Sequence, residues 1–302
     1  MAGDGTILPC EETMAPLVMP MLLALRAGLL IDGAGRPPLP QPTILMRQGR
    51  VAGVYGAGYT PPAEARVIDY PDATVLPGLI DCHLHLIGHG TIPTHEWGAA
   101  GRDALVERAA GHAEAALRAG VTTIRDCGAP DNVVGEIWWD IGAGRRRGPH
   151  LLNAGRVVTT PGGHGHFMGL EASGPAALTA AVEALVAEGV DFIKLIASGG
   201  GGTPGTFPVH SQYTTEEVRA VVEAAHAAGR RVAAHAHSVE AIRCCVEGGV
   251  DSVEHVTYIT AEGPRFDAEL ARRLADSDTW VIPTMACYAN PVRAGLNKLF
   301  IR

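Results

Sequence analysis

The stretch VLPGLIDCHLHL, Val75–Leu86, runs an apolar segment into two histidines spaced two apart. Side chains alternate between the faces of a strand, so His83 and His85 share one face. Outward from this stretch the same texture recurs. Four times an Ala-rich, helix-like segment ends at Gly and a short β-branched run follows: RAGVTTIRD (Arg118–Asp126), AEGVDFIKL (Ala187–Leu195), AAGRRVAAH (Ala227–His235) and EGGVDSVEH (Glu247–His255). Gly past a helix end supplies a left-handed cap, and the apolar run after it reads as a buried parallel strand. Thr214 and Glu217 have capping-box spacing, and Ser238 is placed to cap the next helix. With HLLNAGRVV and TWVIPTM added, strands are predicted near 76–84, 121–126, 151–158, 191–197, 231–235, 250–255 and 279–284. Alternation of this kind implies an α/β fold with a parallel sheet.

An open sheet and a barrel differ in where chemistry collects. An open sheet gathers functional residues at one crevice, whereas a (β/α) barrel draws them from the ends of many strands. Here polar residues end nearly every predicted strand: His83 and His85, Arg125 and Asp126, Lys194, His235 and His237, and His255. That distribution favours a TIM barrel. Upstream, residues 21–74 carry short runs such as TILMRQGRVAGVY punctuated by Gly, the pattern of a small all-β element. Residues 1–20 read as a disordered or mis-started tail, leaving 75–302 for the barrel.

Composition narrows the classes. The chain has 302 residues and a net charge of −8, which argues against a nucleic-acid or anionic-membrane surface. Met14–Leu30 is apolar but interrupted by Pro16, Pro20 and Arg26, too broken to span a bilayer. Asp4, Glu11 and Glu12 are acidic where a secretory leader is basic. Six cysteines without C-x-x-C spacing suit a reducing, cytoplasmic setting, and thirteen bunched histidines are the unusual feature. Gly199–Gly202 lacks the G-K-[ST] of a phosphate loop, and Ser198 and Ser211 have no His-Asp partner set.

Two imidazoles facing one way at a strand end suit a zinc-like ion, although a pair of core histidines has the same spacing. Lys194, among Phe192, Ile193, Leu195 and Ile196, is costly to bury as a cation. It is paired, it reaches the mouth of the sheet, or it is chemically changed, as when CO2 adds to give a carbamate. His235 and His237 repeat the H-x-H spacing, so periodicity does not choose between them, and His255 ends the following strand. Four strands each presenting a metal-capable group make a metal centre the better reading.

Together, LPG-x-ID-x-H-x-H, the lysine strand and the two later histidine strands resemble the amidohydrolase superfamily of metal-dependent hydrolases. GVTTIRDCG, the GGHGH loop (Gly162–His166), IKLIASGG and AAHAHS are similar to its imidazolonepropionase-related branch, which includes Xaa-Pro dipeptidases. The resemblance implies a (β/α)8 barrel behind a small N-terminal β-sandwich portion. It implies two divalent ions, zinc by expectation: His83 and His85 on the more buried one, His235 and His255 on the second, and the Lys194 carbamate bridging both. His237 falls where relatives place a substrate-contacting group, and His164, in the Gly-rich loop, is another candidate for touching the substrate or its carboxylate. Arg125 is expected to pair with Asp126 or Asp81. The implied activity is hydrolysis of an amide C–N bond by metal-activated hydroxide, on a small-molecule amide or a dipeptide such as Xaa-Pro, with a homo-oligomer compatible.

The family's eighth strand ends in a metal-binding, proton-shuttling aspartate. After TWVIPTM no such strand is legible before Arg302, and Asp276 and Asp278 precede it. The barrel is therefore expected to be incomplete, with about seven strands, and the catalytic acid is left unknown. A C-terminally truncated product or a chain completed by a partner is the expectation. An imidazolonepropionase-like cyclic-amide hydrolase and an inactive metal-binding scaffold are the alternatives.

Overall fold

Short apolar runs separated by tight turns build the first part of the chain as β structure. In the computed structural model, which describes residues 22–88 and 93–289, strands β1 (Leu23–Leu30), β2 (Leu39–Pro40), β3 (Thr43–Arg47), β4 (Arg50–Tyr55) and β5 (Arg66–Val75) form one sheet. β3 and β4 are a hairpin whose two turn residues, Gln48 and Gly49, have φ of 52° and 71°. Positive φ at both central positions matches the twist of the flanking strands. The tail 1–20 and the segment after Ala289 lie outside the described residues. The chain divides between Pro77 and Gly78 into two compact units.

The second unit alternates strands and helices as expected. Its strands are β6 (Leu79–Leu84), β7 (Val121–Asp126), β8 (His150–Asn153), β9 (Val157–Thr159), β10 (Gly169–Glu171), β11 (Phe192–Ile196), β12 (Arg231–Ser238), β13 (Ser252–Thr260), β14 (Gly263–Pro264) and β15 (Trp280–Ile282). Its helices are α1 (Arg102–Arg118), α2 (Val133–Gly142), α3 (Pro175–Ala187), α4 (Thr215–Ala227), α5 (Val239–Gly248), α6 (Ala268–Ala275) and α7 (Ala286–Ala289). Gly120, Gly189, Gly229 and Gly249 follow α1, α3, α4 and α5 with φ between 68° and 89°, the left-handed stops read from the sequence. Thr214 and Glu217 form the capping box of α4, and the Ser238 hydroxyl accepts from Ala241 N at the start of α5. Among the described residues no helix is long and apolar enough to cross a membrane.

The strands form two sheets rather than one continuous ring. β6, β7 and β8 pair in parallel, and β9, β11, β12, β13 and β15 form a second parallel series with β10 and β14 at its margins. The single strand expected over 151–158 is two. Gly155, at φ 65°, breaks it, so that β8 pairs with β7 and β9 with β11. The two sheets share an interior: Cys127, Ala154, Phe192 and Ala233, drawn from both, pack together. On the opposite faces Val232, Ala234 and Ala236 of β12 and Ile193 and Leu195 of β11 pack with helix residues such as Leu178, Val221 and Ile242. Strand alternation thus assigns one face to the helices and the other to Lys194, His235 and His237.

Asp126 secures the end of β7. It is fully buried and accepts backbone hydrogen bonds from Leu86 at 2.6 Å and Gly128 at 3.0 Å. Burial pushes its carboxyl up to about 7, the two N–H donors offsetting only part of that rise. The folded state therefore binds the proton more tightly than the unfolded chain, and this group's contribution is lost as pH rises from near 4 through about 7. Asp126→Asn puts an amide donor against one of the two N–H groups and is expected to cost about 1–3 kcal/mol at pH 5. Thermal denaturation at pH 5 and pH 8 is expected to show the gap between wild type and variant shrinking at the higher pH.

Candidate metal centre

β12 delivers two imidazoles through period-two alternation. His235 and His237 are buried, with ring centroids 4.6 Å apart. His255 comes from β13, where simple alternation would send it away with Val253. Instead the backbone at His255 and Val256 turns left-handed, with φ of 72° and 49°. Such values at non-glycine residues cost on the order of 1–3 kcal/mol each, most at a β-branched position. The turn brings the His255 ring within 4.6 Å of His235 and 4.7 Å of His237, centroid to centroid. One ligand-capable atom from each of these three histidines lies within 4.8 Å of the others, an arrangement able to hold a metal ion.

The remaining candidates surround this group. The His83 ring, on β6, stands 4.9 Å from that of His255 and 5.6 Å from that of His85. His164, in the loop after β9, stands 4.9 Å from His235. Gly200 permits that approach, because a Cβ there would meet His164 Nε2 at 2.5 Å. The loop is pinned by Gln212 Oε1, which accepts from His164 N at 2.7 Å. Lys194, on β11, is 1% exposed, and its Nζ has no hydrogen-bond partner among the described residues. An ammonium buried in that way is costly, so the amine invites an acceptor or a modification.

Hydrogen bonds orient the rings. His85 Nδ1 lies 2.7 Å from Gly128 O and His235 Nε2 3.3 Å from Gly199 O; a carbonyl only accepts, so each of those nitrogens carries the hydrogen. His237 Nδ1 meets Thr257 Oγ1 at 2.8 Å, and His255 Nδ1 meets Thr284 Oγ1 at 2.7 Å. Metal-binding histidines characteristically engage the second ring nitrogen in this way. Burial first, and then neighbouring imidazoles and Lys194, hold His83, His235 and His255 well below the ordinary histidine range. The same causes lower His164 to about 4 and His237 to about 3. At neutral pH these five rings are uncharged and offer lone pairs, the state in which imidazole ligates.

One expectation is corrected here. Arg125 pairs with neither Asp126 nor Asp81. Adjacent strand residues point to opposite faces, so Asp126 turns to the backbone around Leu86 while Arg125 enters the interior. There it donates to Glu254 at 2.6 Å, Ser252 Oγ at 3.2 Å and Cys82 O at 2.6 Å. Glu254, absent from the residues singled out by sequence, has no exposed surface and also meets His83 Nδ1 at 2.7 Å. Its signal was present: a carboxylate within an otherwise apolar strand segment, costly to bury without partners.

Comparison with known proteins places this architecture. The amidohydrolase family model matches residues 74–283. Ochratoxinase of Aspergillus niger is 28% identical over 271 residues, covering 78% of this chain and 54% of its own length. The chain thus spans about half of that relative. A crystal structure of a Xaa-Pro dipeptidase, with methionine bound in its active site, superposes with a TM-score of 0.77 at 28% identity, covering 88% of this chain and 67% of the other. The crystal structure of A. niger ochratoxinase gives 0.77 at 24% identity, with 94% and 71% covered, a likeness of fold. By its match over residues 74–283, with histidines at the ends of the matched strands, the chain belongs to the amidohydrolase family.

Proposed function

We propose that the chain is the metal-binding part of a hydrolase that cleaves an amide C–N bond, of a dipeptide such as Xaa-Pro or of a non-peptide amide. The observation that carries this reading is a buried group of imidazoles beside a lysine whose Nζ has no hydrogen-bond partner among the described residues. The likeness to a Xaa-Pro dipeptidase supports the substrate class. We read the two sheets as arcs of a (β/α)8-type barrel, since strands of both contribute to one interior.

The residues present fit a divalent centre. Neutral nitrogen donors favour zinc, and an unpartnered buried amine is the chemistry a lysine carbamate resolves. In this assignment His83 and His85 would hold one ion, His235 and His255 would hold a second, and Lys194 as its carbamate would supply an anionic ligand to both. When bound, such ions polarise a carbonyl and lower the pKa of water toward neutrality. The chain's own residues orient and exclude. Phe192 and Ala233, two residues before Lys194 and His235 on the same strand faces, pack with Cys127 in an apolar layer. His164 and His237 are assigned to the substrate. Their low basicity makes them hydrogen-bond partners for substrate oxygen or nitrogen rather than proton carriers at neutral pH.

The protein that carries this chain, stripped and reloaded with Zn2+, is expected to release free proline from Xaa-Pro dipeptides, and a chelator is expected to abolish the release. A chain that fails to bind zinc overturns the reading. His235→Ala and His255→Ala are each expected to weaken zinc binding by more than the about 10–100-fold seen for loss of an outer partner. His237→Ala is expected to keep the zinc and raise KM, as metal analysis beside kinetics will show.

Lys194 gives a separate test. Native mass spectrometry is expected to show one acid-labile CO2 adduct that disappears in Lys194→Met. In the metal-free chain that substitution is expected to raise stability by about 1–3 kcal/mol, because a buried polar group without a partner is replaced by an apolar one of similar length. A wild-type mass that shows no such adduct would argue against the carbamate.

A further inference from the structure

Glu254 is a buried carboxylate that the proposed hydrolysis leaves without a task. Every polar contact it makes is inside the protein. Oε2 lies 2.7 Å from His83 Nδ1, while Oε1 accepts from Arg125 at 2.6 Å and from Ser252 Oγ at 2.9 Å. Arg125 is itself held, its Nε donating to Cys82 O at 2.6 Å and its guanidinium standing 5.2 Å over the Phe192 ring. The frame thus joins β6 and β7 of one sheet to β13 of the other.

A carboxylate oxygen accepts, so the hydrogen in this contact is on His83 Nδ1, and Nε2 is the nitrogen that can face an ion. A tautomer fixed on one nitrogen decides which atom can bind a metal, and an anionic acceptor makes the other nitrogen a stronger donor. Arg125 and Ser252 supply what lets a carboxylate sit where no water reaches: a countercharge and a second hydrogen bond. They also prevent Glu254 from turning toward the centre and acting as a ligand itself.

We propose that Glu254, locked by Arg125 and Ser252, is a positioning residue for the metal centre, holding His83 with Nδ1 protonated and Nε2 presented to the ion. The proposal rests on His83 being a ligand, and its test separates the two. A bland alternative is that the Glu254 frame only ties β6, β7 and β13 together.

The experiment titrates Co2+ into the metal-free full chain and follows the visible absorption of the bound ion. Wild type, Glu254→Gln, His83→Ala and the double variant are compared, with circular dichroism as the check on folding. Expected is an affinity about 10–100-fold weaker in Glu254→Gln, an altered cobalt spectrum, and no further loss when the change is made in His83→Ala. Wild-type affinity in Glu254→Gln, with His83→Ala weakened, overturns the positioning role and leaves His83 a ligand. Equal loss in both backgrounds assigns Glu254 to the fold alone. Wild-type affinity in His83→Ala removes His83 from the centre and the proposal with it. If Glu254→Gln does not fold, nitrogen-15 NMR of the metal-free wild type decides: protonated Nδ1 on His83 is expected, and protonated Nε2 overturns the proposal.

Discussion

The interior between the two sheets is polar, and the way its charges are neutralised constrains everything else. Glu254 has no exposed surface, and its ion pair with Arg125 at 2.6 Å is the contact on which that interior turns. A carboxylate stripped of water costs several kcal/mol unless it is paired and hydrogen-bonded on each oxygen. Here three donors, from β6, β7 and β13, meet that requirement. The consequence is geometric as well as energetic. Strands of separate ladders are placed relative to one another by a side-chain network, at a level in the interior just beside the histidines. Register errors of one residue would turn Glu254 outward and leave Arg125 unpaired, so the network also specifies the strand faces.

Much of this was legible from the chain. Period-two alternation correctly put His235 with His237 on one face, and glycine stops after Ala-rich segments marked the ends of α1, α3, α4 and α5. Both signals are local, so sequence carries them. What was not legible depended on backbone dihedrals and on partners distant in sequence. His255 is an example: alternation from Val253 gives the wrong face, and only the left-handed turn at His255 and Val256 returns the ring to the group. Gly155 is another, since a single glycine in HLLNAGRVV divides one predicted strand between two ladders. Arg125 was matched to Asp126 and Asp81, whereas its partner lies 129 residues away. Asp126, the neighbour on the opposite face, was taken up by backbone N–H groups instead.

The same reasoning explains why polar strain concentrates at this end of the molecule. On the helix-facing surfaces of β11 and β12, Ile193, Leu195, Val232, Ala234 and Ala236 are all buried in one core cluster. That layer stabilises the fold through burial, at roughly 25 cal/mol per Å2 of apolar surface. Against it stand Lys194 Nζ and His164 Nδ1, each without a hydrogen-bond partner among the described residues, and two left-handed non-glycine residues in succession. Each costs on the order of 1–3 kcal/mol and none contributes packing that an apolar residue would not supply better. Selection for stability alone would remove them.

Their joint retention on one face has a thermodynamic reading. A ligand that binds the folded chain and not the unfolded one adds RT ln(1 + [L]/Kd) of stability, about 4 kcal/mol at a thousandfold excess over Kd. An ion held by the imidazoles, with a group on Lys194 that accepts from or ligates alongside them, would offset local costs of that size. On this argument the stability of the second unit and the occupancy of its centre are one equilibrium, and the residues that weaken the fold are the ones through which the two are coupled.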